Sequence, residues 1–148
     1  MRHNARLTAA VMMPQVAVGV DVASASQVAD SVQRFGNRYL DRVYTRHEQA
    51  CCQGSSEAQA RSLAARFAAK EAVVKVLRPD GDAPEWTSIE VVRSPAGWTD
   101  IELTGKARVM ADKAGISQLA VSLSHEGDLA LAVVVGVAVA SEHSGGTS

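Results

Sequence analysis

The alternation of apolar and polar residues predicts a strand first, then helices, then mostly strands. An apolar run over residues 16–21 predicts a buried strand with Asp21 at its C-terminal end. Residues 57–77 lack Gly and Pro and repeat apolar positions at helical spacing, which predicts a long helix. Strands are predicted over 89–91, 98–103, 120–124 and 129–139, and a helix over 104–113. This order favours an α+β fold with an antiparallel sheet, packed with one long and several short helices.

Three capping-box patterns and two glycines predict where the helices begin and end. The boxes are Ser24 with Gln27, Thr45 with Glu48, and Ser56 with Gln59. Gly36 is placed to end the first helix, and Gly115 to end the helix over 104–113.

The length and composition predict one soluble domain over residues 15–140. The chain has 148 residues, of which 47% are hydrophobic and 21% charged. Residues 1–14 form a leader without the pattern of an export signal, and the Ser- and Gly-rich residues 141–148 predict a disordered tail. The apolar run over 129–140 is too short to span a bilayer, so no membrane partner is expected.

The net charge and the two cysteines indicate which partners and which cellular compartment to expect. The net charge is −1 and aromatic residues make up 4%, which argues against a nucleic-acid partner. Cys51 and Cys52 are adjacent in sequence, and a disulfide between neighbours is strained. Two free thiols indicate a reducing compartment, so we expect a cytoplasmic protein.

The long helix carries unusual charges over residues 66–75, RFAAKEAVVK. Glu71 lies about 40° from Phe67 around the helix axis, at the rim of the apolar stripe, and Lys75 follows one turn later. Arg66 and Lys70 lie on the other flank. A carboxylate among cations suits a metal ion with a polyphosphate, although spacing alone favours an ordinary i,i+4 ion pair.

Other candidate residues are individually weak. Asp21 either begins a turn or contributes a ligand group, and a lone histidine such as His125 is more often a surface residue than a catalytic one. Arg34, Arg38 and Arg42 recur every four residues and form either a solvated face or a docking strip for an acidic partner.

Together, these stretches closely resemble one enzyme family. GVDV at 19–22, RFAAKEAVVK at 66–75 and SLSHEGDLALA at 122–132 match, in order, the motifs of 4′-phosphopantetheinyl transferases of the small holo-acyl-carrier-protein synthase type. YTRHE at 44–48 resembles a further segment of that family. The resemblance covers about residues 16–139.

The resemblance implies transfer of the phosphopantetheine arm of coenzyme A to a serine of an acyl carrier protein, releasing adenosine 3′,5′-bisphosphate. It implies Asp21 and Glu71 as ligands of Mg²⁺ and Lys75 as a contact to the pyrophosphate. Arg66 and Lys70 match positions near the coenzyme A phosphates, and His125 matches a histidine that contacts phosphate or the acceptor serine. The general base is left open between Glu71, His125 and a metal-bound water.

The resemblance also implies partners and assembly. Arg34, Arg38 and Arg42 fall where the family docks its acidic carrier protein, and small family members are homotrimers with active sites between subunits. A role in fatty-acid biosynthesis is expected. One departure is Gly97-Trp98-Thr99, where the family often has Gly, a basic residue and Pro, close to the nucleotide end of coenzyme A.

Two rival functions are compatible with the same residues. One is a different Mg²⁺-dependent phosphoryl or nucleotidyl transferase that uses the Asp21–Glu71 pair. The other is a coenzyme A or nucleotide-binding subunit without turnover, against which the intact motif residues argue.

Overall fold

The computed structural model describes residues 15–138, and its elements follow the predicted order. The strands are β1 (Gln15–Ser24), β2 (Ile89–Arg93), β3 (Thr99–Leu103), β4 (Ile116–Glu126) and β5 (Leu129–Ala138). The helices are α1 (Ala25–Phe35), α2 (Asn37–Val43), α3 (Arg46–Cys51), α4 (Ser56–Leu77) and α5 (Gly105–Lys113), with a 3₁₀ turn at Trp86–Ser88. The α+β prediction is confirmed. The predicted leader and tail lie outside the described residues.

Two antiparallel sheets organise the chain. The larger sheet has the order β1-β5-β4, and the smaller is the β2–β3 hairpin. Helix α4 packs on one face of the larger sheet, mainly against β1 and β5. The core lies between this helix and these two strands, and its most buried residues include Ala68, Ala72 and Val134.

Glycine allows α4 to approach the sheet closely. A Cβ atom at Gly19 would lie 2.1 Å from the carbonyl oxygen of Ala72, and one at Gly136 would lie 2.6 Å from Cγ1 of Val76. A side chain at Gly19 would require a shift of the helix backbone, and one at Gly136 would require movement of the Val76 side chain or of the helix. The glycine of the first motif therefore sets the distance between β1 and α4, the two elements that carry Asp21 and Glu71.

The helix ends confirm two of the three predicted N-caps. The Ser24 hydroxyl accepts from the Gln27 amide, and Thr45 with Glu48 forms a complete capping box. The box predicted at Ser56 is wrong, because the extended residue is Ser55, whose hydroxyl accepts from the Ala58 amide.

Strand β1 runs three residues beyond Asp21, so the prediction that Asp21 ends the strand is wrong. Val22 and Ala23 continue the pairing with Leu131 and Ala130 of β5. Tertiary pairing thus extends the strand beyond the apolar run that predicted it. Asp21 is presented from within a sheet, on a rigid backbone.

The larger sheet leaves its second face exposed. Apolar side chains on this face are between 37% and 58% exposed, and we call the set the open sheet face: Val16, Val18, Val20, Val22, Leu129 and Leu131. Contiguous apolar surface of this kind marks an interaction site.

Two further expectations concern thiols and membranes. Cys51 and Cys52 are both free, as predicted. Among the described helices, none has the length and hydrophobicity needed to cross a bilayer.

Candidate active site

Asp21 and Lys75 join β1 to α4. The Lys75 ammonium donates to the Asp21 carboxylate over 3.2 Å and to the Val20 carbonyl over 2.6 Å. The Asp21 side chain is 20% exposed and that of Lys75 is 51% exposed. The pair is therefore open enough for a ligand to reach it.

Glu71 lies beside this pair, half-buried at the edge of α4. Burial raises the pKa of its carboxyl group, the nearby Asp21 carboxylate raises it further, and Lys75 lowers it. Two carboxylates that repel each other in this way favour a cation between them. The prediction that Asp21, Glu71 and Lys75 share one place is consistent with this geometry.

The donor set fits a hard divalent ion that takes its remaining ligands from elsewhere. Within residues 15–138, no group of three or more His, Cys, Asp and Glu side chains is arranged to hold a metal. Two carboxylates alone do not make a closed site. They suit Mg²⁺, which is usually bound by one or two carboxylates together with water and substrate phosphates.

The structure places Lys70 in the interior, away from any phosphate. Its side chain is fully buried, and its ammonium contacts the Glu48 carboxylate at 2.7 Å and donates to the carbonyls of Trp86 and Ile89. These three contacts use all three donors of the ammonium. The expected contact of Lys70 with coenzyme A phosphates does not fit this arrangement.

Glu48 completes this buried cluster, and its function is structural. Its carboxylate accepts from the amides of Thr45 and Val91, besides contacting Lys70. The YTRHE motif thus ties α3 to β2 and, through Lys70, to α4. The YTRHE motif is visible in the sequence, but nothing in its spacing indicates that Glu48 contacts Lys70 of the long helix.

Arg66 and His125 line one cleft of about 440 Å³ at the N-terminal half of α4. Two arginines that sequence analysis missed, Arg61 and Arg93, also line it. Among the described residues, the buried Nε of Arg66 lacks a hydrogen-bond partner, which is costly unless a ligand supplies an acceptor. The cleft suits an anion with several phosphate oxygens.

The signal for Arg61 and Arg93 was weak in the sequence. Arg61 precedes the motif on α4 and pairs with the exposed Glu57 one turn earlier. Arg93 ends β2, where it pairs in register with Thr99 of β3. Only the packing of the hairpin beside α4 brings the two arginines to one cleft.

The predicted docking arginines surround an exposed phenylalanine. The Arg34 guanidinium lies 5.5 Å from the centroid of the Phe35 ring. Phe35, Arg38 and Arg42 line a shallow cavity of about 330 Å³ together with Tyr39. Gly36, at φ 53°, separates α1 from α2, so the strip crosses a helix break and is not one continuous helical ridge.

Sequence comparison agrees with this geometry. The family described as ACPS, 4′-phosphopantetheinyl transferase superfamily, matches residues 17–134. The chain belongs to this superfamily. A holo-[acyl-carrier-protein] synthase of Desulforudis audaxviator is 39% identical over 120 residues, which cover 81% of this chain and 91% of that protein.

Other members are equally similar to this transferase. A holo-[acyl-carrier-protein] synthase of Chloroflexus aurantiacus is 42% identical, covering 79% of this chain and 94% of that protein. The crystal structure of the Helicobacter pylori synthase in complex with coenzyme A superposes with a TM-score of 0.69 at 31% identity, covering 80% and 98% of the two chains. The enzyme class and the fold predicted from the motifs are confirmed.

Proposed function

We propose that this transferase moves the 4′-phosphopantetheine arm of coenzyme A to a serine of an apo acyl carrier protein and releases adenosine 3′,5′-bisphosphate. The observation that supports the proposal most directly is the contact of Lys75 with Asp21 between α4 and β1, with Glu71 one helical turn before Lys75 and electrostatically coupled to both. These groups suit a diphosphate and its counterion, which is the part of coenzyme A where the bond breaks. Membership of the superfamily and the similarity to holo-[acyl-carrier-protein] synthases support the same substrates.

Asp21 and Glu71 would hold the metal ion, which we propose is Mg²⁺. When bound, such an ion neutralises charge on the diphosphate and holds its oxygens in line for attack. The Lys75 ammonium is close enough to exchange its contact with Asp21 for a phosphate oxygen. In that position it would stabilise charge that develops on the leaving phosphate.

The cleft of Arg61, Arg66, Arg93 and His125 would bind the phosphates of the nucleotide end. Arg66 has the strongest structural reason to bind a phosphate, because its buried Nε would gain a hydrogen-bond acceptor. The cleft lining does not include Asp21, Glu71 or Lys75. Coenzyme A would therefore reach from one cluster to the other, either along one subunit or across a subunit boundary.

The proton of the acceptor serine requires a base near the attacked phosphorus. Glu71, with its raised pKa, His125 and a water held by the carboxylates are the candidates. His125 is exposed at the end of β4, so it can meet a carrier protein that arrives from solution.

Two further surfaces would bind the carrier protein and the other subunits. Arg34, Arg38 and Arg42 around Phe35 offer an acidic, amphipathic carrier helix both ion pairs and an apolar contact. The open sheet face would pack against other copies to form a homotrimer, because its valines otherwise face water. We place the reaction in the cytoplasm, in fatty-acid biosynthesis.

The test is direct transfer. The purified chain is incubated with coenzyme A, Mg²⁺ and an apo acyl carrier protein, and the carrier is weighed by mass spectrometry. The expected result is a mass gain of one phosphopantetheine group, absent when chelator replaces Mg²⁺. Binding of coenzyme A without any mass gain would instead support a non-catalytic subunit.

A further inference from the structure

Asp128 makes more long-range polar contacts than its place in an exposed turn suggests. It lies in the turn between β4 and β5, three residues after His125. Its carboxylate accepts from the Ser24 hydroxyl at 2.6 Å, the Ser26 hydroxyl at 2.7 Å and the Ser26 amide at 2.9 Å. Its backbone carbonyl accepts from the Ala25 amide at 2.8 Å.

These contacts cap helix α1 from a distant part of the chain. The amides of Ala25 and Ser26 are the first two of α1, and such amides have no partner within their own helix. Helix α1 has no acidic residue in its first turn, and the hydroxyl cap from Ser24 to the Gln27 amide is long, at 3.3 Å. A carboxylate at this end of a helix is also favoured by the helix dipole. Asp128 thus supplies the charge that the helix itself lacks.

Apolar packing holds α1 through a few small side chains. Its buried residues are Ala25 and Val28, with Ala29 and Val32 partly buried, and the helix rests mainly on α4. Small contacts of this kind leave the direction of a helix poorly determined. The polar clamp at its first turn therefore has a large share in setting where the other end of α1, with Arg34 and Phe35, is presented.

The clamp connects the proposed carrier-docking end of α1 to the cleft proposed to bind coenzyme A. Ala25, His125 and Asp128 all line the arginine-rich cleft, while Arg34 and Phe35 lie ten residues along α1. The hydrogen bonds from Ser24 and Ser26 lower the pKa of the Asp128 carboxyl group, because they stabilise its charged form.

We propose that Asp128 is a positioning residue for carrier-protein docking, which fixes α1 against the β4–β5 turn next to His125 and so sets the docking arginines at the correct distance from the bound coenzyme A. The inference rests on the proposed transferase function. It assigns Asp128 no contact with coenzyme A or with the reacting atoms.

The test compares Asp128→Ala with Asp128→Asn and with Glu126→Ala. Alanine removes all three side-chain bonds, whereas asparagine keeps an acceptor for the Ser26 amide and a polar group for the hydroxyls. Glu126, the last residue of β4, is an exposed acid next to the same turn that makes no side-chain hydrogen bond among the described residues, so its variant is the matched control. Initial rates are measured while the apo carrier protein and coenzyme A are varied in turn.

We expect Asp128→Ala to raise the KM for the carrier protein at least fivefold, while the KM for coenzyme A changes less than twofold. Asp128→Asn should recover most of this loss, and Glu126→Ala should behave as wild type. Ser26→Ala, which removes one of the contacts, should give a smaller rise in the same constant. If Asp128→Ala does not fold, the KM of Ser26→Ala for the carrier protein tests the inference in its place.

Three results would overturn the inference while leaving the transferase function intact. They are an unchanged carrier KM, an equal rise in both KM values, and a fall in kcat alone, which is what a purely structural loss of active enzyme gives. If the wild type transfers nothing to the carrier protein, the proposed function itself fails.

Discussion

At the scale of single residues, Glu71 illustrates a conflict between function and stability. A carboxylate whose pKa is raised by burial and by Asp21 is held in a charged form that its surroundings disfavour. If Glu71 holds the proposed cation, that site comes with some loss of stability. The same residue therefore affects activity and folding in opposite directions.

We predict that Glu71→Gln abolishes transfer and makes the metal-free protein more stable at neutral pH, by up to about 1 kcal/mol because Glu71 is partly screened by solvent. The folded-state pKa is raised, so ionisation costs stability as the pH rises from the ordinary value of 4.5 through the folded value. Glutamine does not ionise, and its advantage should vanish below pH 4.5. The difference in stability between the two proteins is measured by urea unfolding in the presence of a chelator, from below pH 4.5 to pH 7.

The control for this series is Glu102→Gln, an exposed glutamate of β3, which should show no such pH-dependent gain. Mg²⁺ should stabilise the wild type more than Glu71→Gln. A variant that is less stable than wild type at pH 7 would show that Glu71 is not strained by its neighbours.

Gly19 is the second residue whose identity is dictated by contact. We predict that Gly19→Ala lowers the free energy of unfolding by about 1–3 kcal/mol, because its Cβ overlaps the Ala72 carbonyl and pushes α4 from β1. Gly81→Ala, where nothing lies within 4 Å, is the matched control. Chemical denaturation compares the two, and equal stabilities would contradict the close approach.

At the scale of elements, the interior is held by a buried ion pair that spans α3 and α4. Glu48 and Lys70 are both fully buried, and their remaining hydrogen bonds are to the backbone of Thr45, of β2 and of the 3₁₀ turn. Such a pair gives little net stability compared with apolar packing, but removal of one partner leaves a buried charge. Its position next to Glu71 suggests that it also fixes the rotation of α4.

We predict that Lys70→Met and Glu48→Gln each cost about 3–5 kcal/mol, and that the double variant costs clearly less than their sum. Arg61→Met removes the exposed partner of Glu57 on the same helix and should cost less than about 1 kcal/mol. A double-mutant cycle by urea denaturation provides the coupling. Strict additivity would mean that the pair does not act as a unit.

The arginine strip, formed by Arg34, Arg38 and Arg42, depends on two elements because it crosses the break between α1 and α2. We predict that Arg34→Glu with Arg38→Glu raises the KM for the carrier protein about tenfold or more and flattens its dependence on salt, since screened attraction to an acidic helix is lost. Arg108→Glu with Lys113→Glu on α5 makes the same change in net charge elsewhere and is the control. Steady-state rates at two ionic strengths measure the KM for the carrier protein and its salt dependence. An unchanged KM for the carrier protein would rule out docking at this strip.

At the scale of the whole molecule, the open sheet face is the largest feature that one chain leaves unexplained. Valines of β1 alternate with Gly19, Asp21 and other residues that face α4, so one strand presents catalytic chemistry on one side and apolar surface on the other. Covering this face with another copy would bring two such strands close together. Assembly and catalysis would then depend on the same sheet.

We predict that Val18→Lys dissociates the proposed homotrimer and reduces transfer at least tenfold, because a charge on the open sheet face would be desolvated on assembly. Val18 is 58% exposed in the single chain. Val109→Lys on α5, where valine is 51% exposed, is the matched control. Sedimentation velocity reports the mass, and a wild type that is monomeric at micromolar concentration would contradict the assembly.

The sequence by itself determined the order of elements, the two confirmed N-caps and the family. These follow from local physics: periodicity, the hydroxyl of a capping residue and short motifs all act within a few positions of the chain. Asp21, Glu71 and Lys75 follow as site candidates from the family motifs, whereas helical spacing alone favoured an ordinary ion pair between Glu71 and Lys75.

Tertiary structure decided what those residues do. It alone turned Lys70 from a phosphate candidate into the partner of Glu48, brought Arg61 and Arg93 to the cleft of Arg66, and extended β1 past Asp21. Each outcome depends on contacts between residues far apart in sequence, where burial and pairing change the energy of a charge. Such contacts leave no periodic trace in the chain, so only packing reveals them.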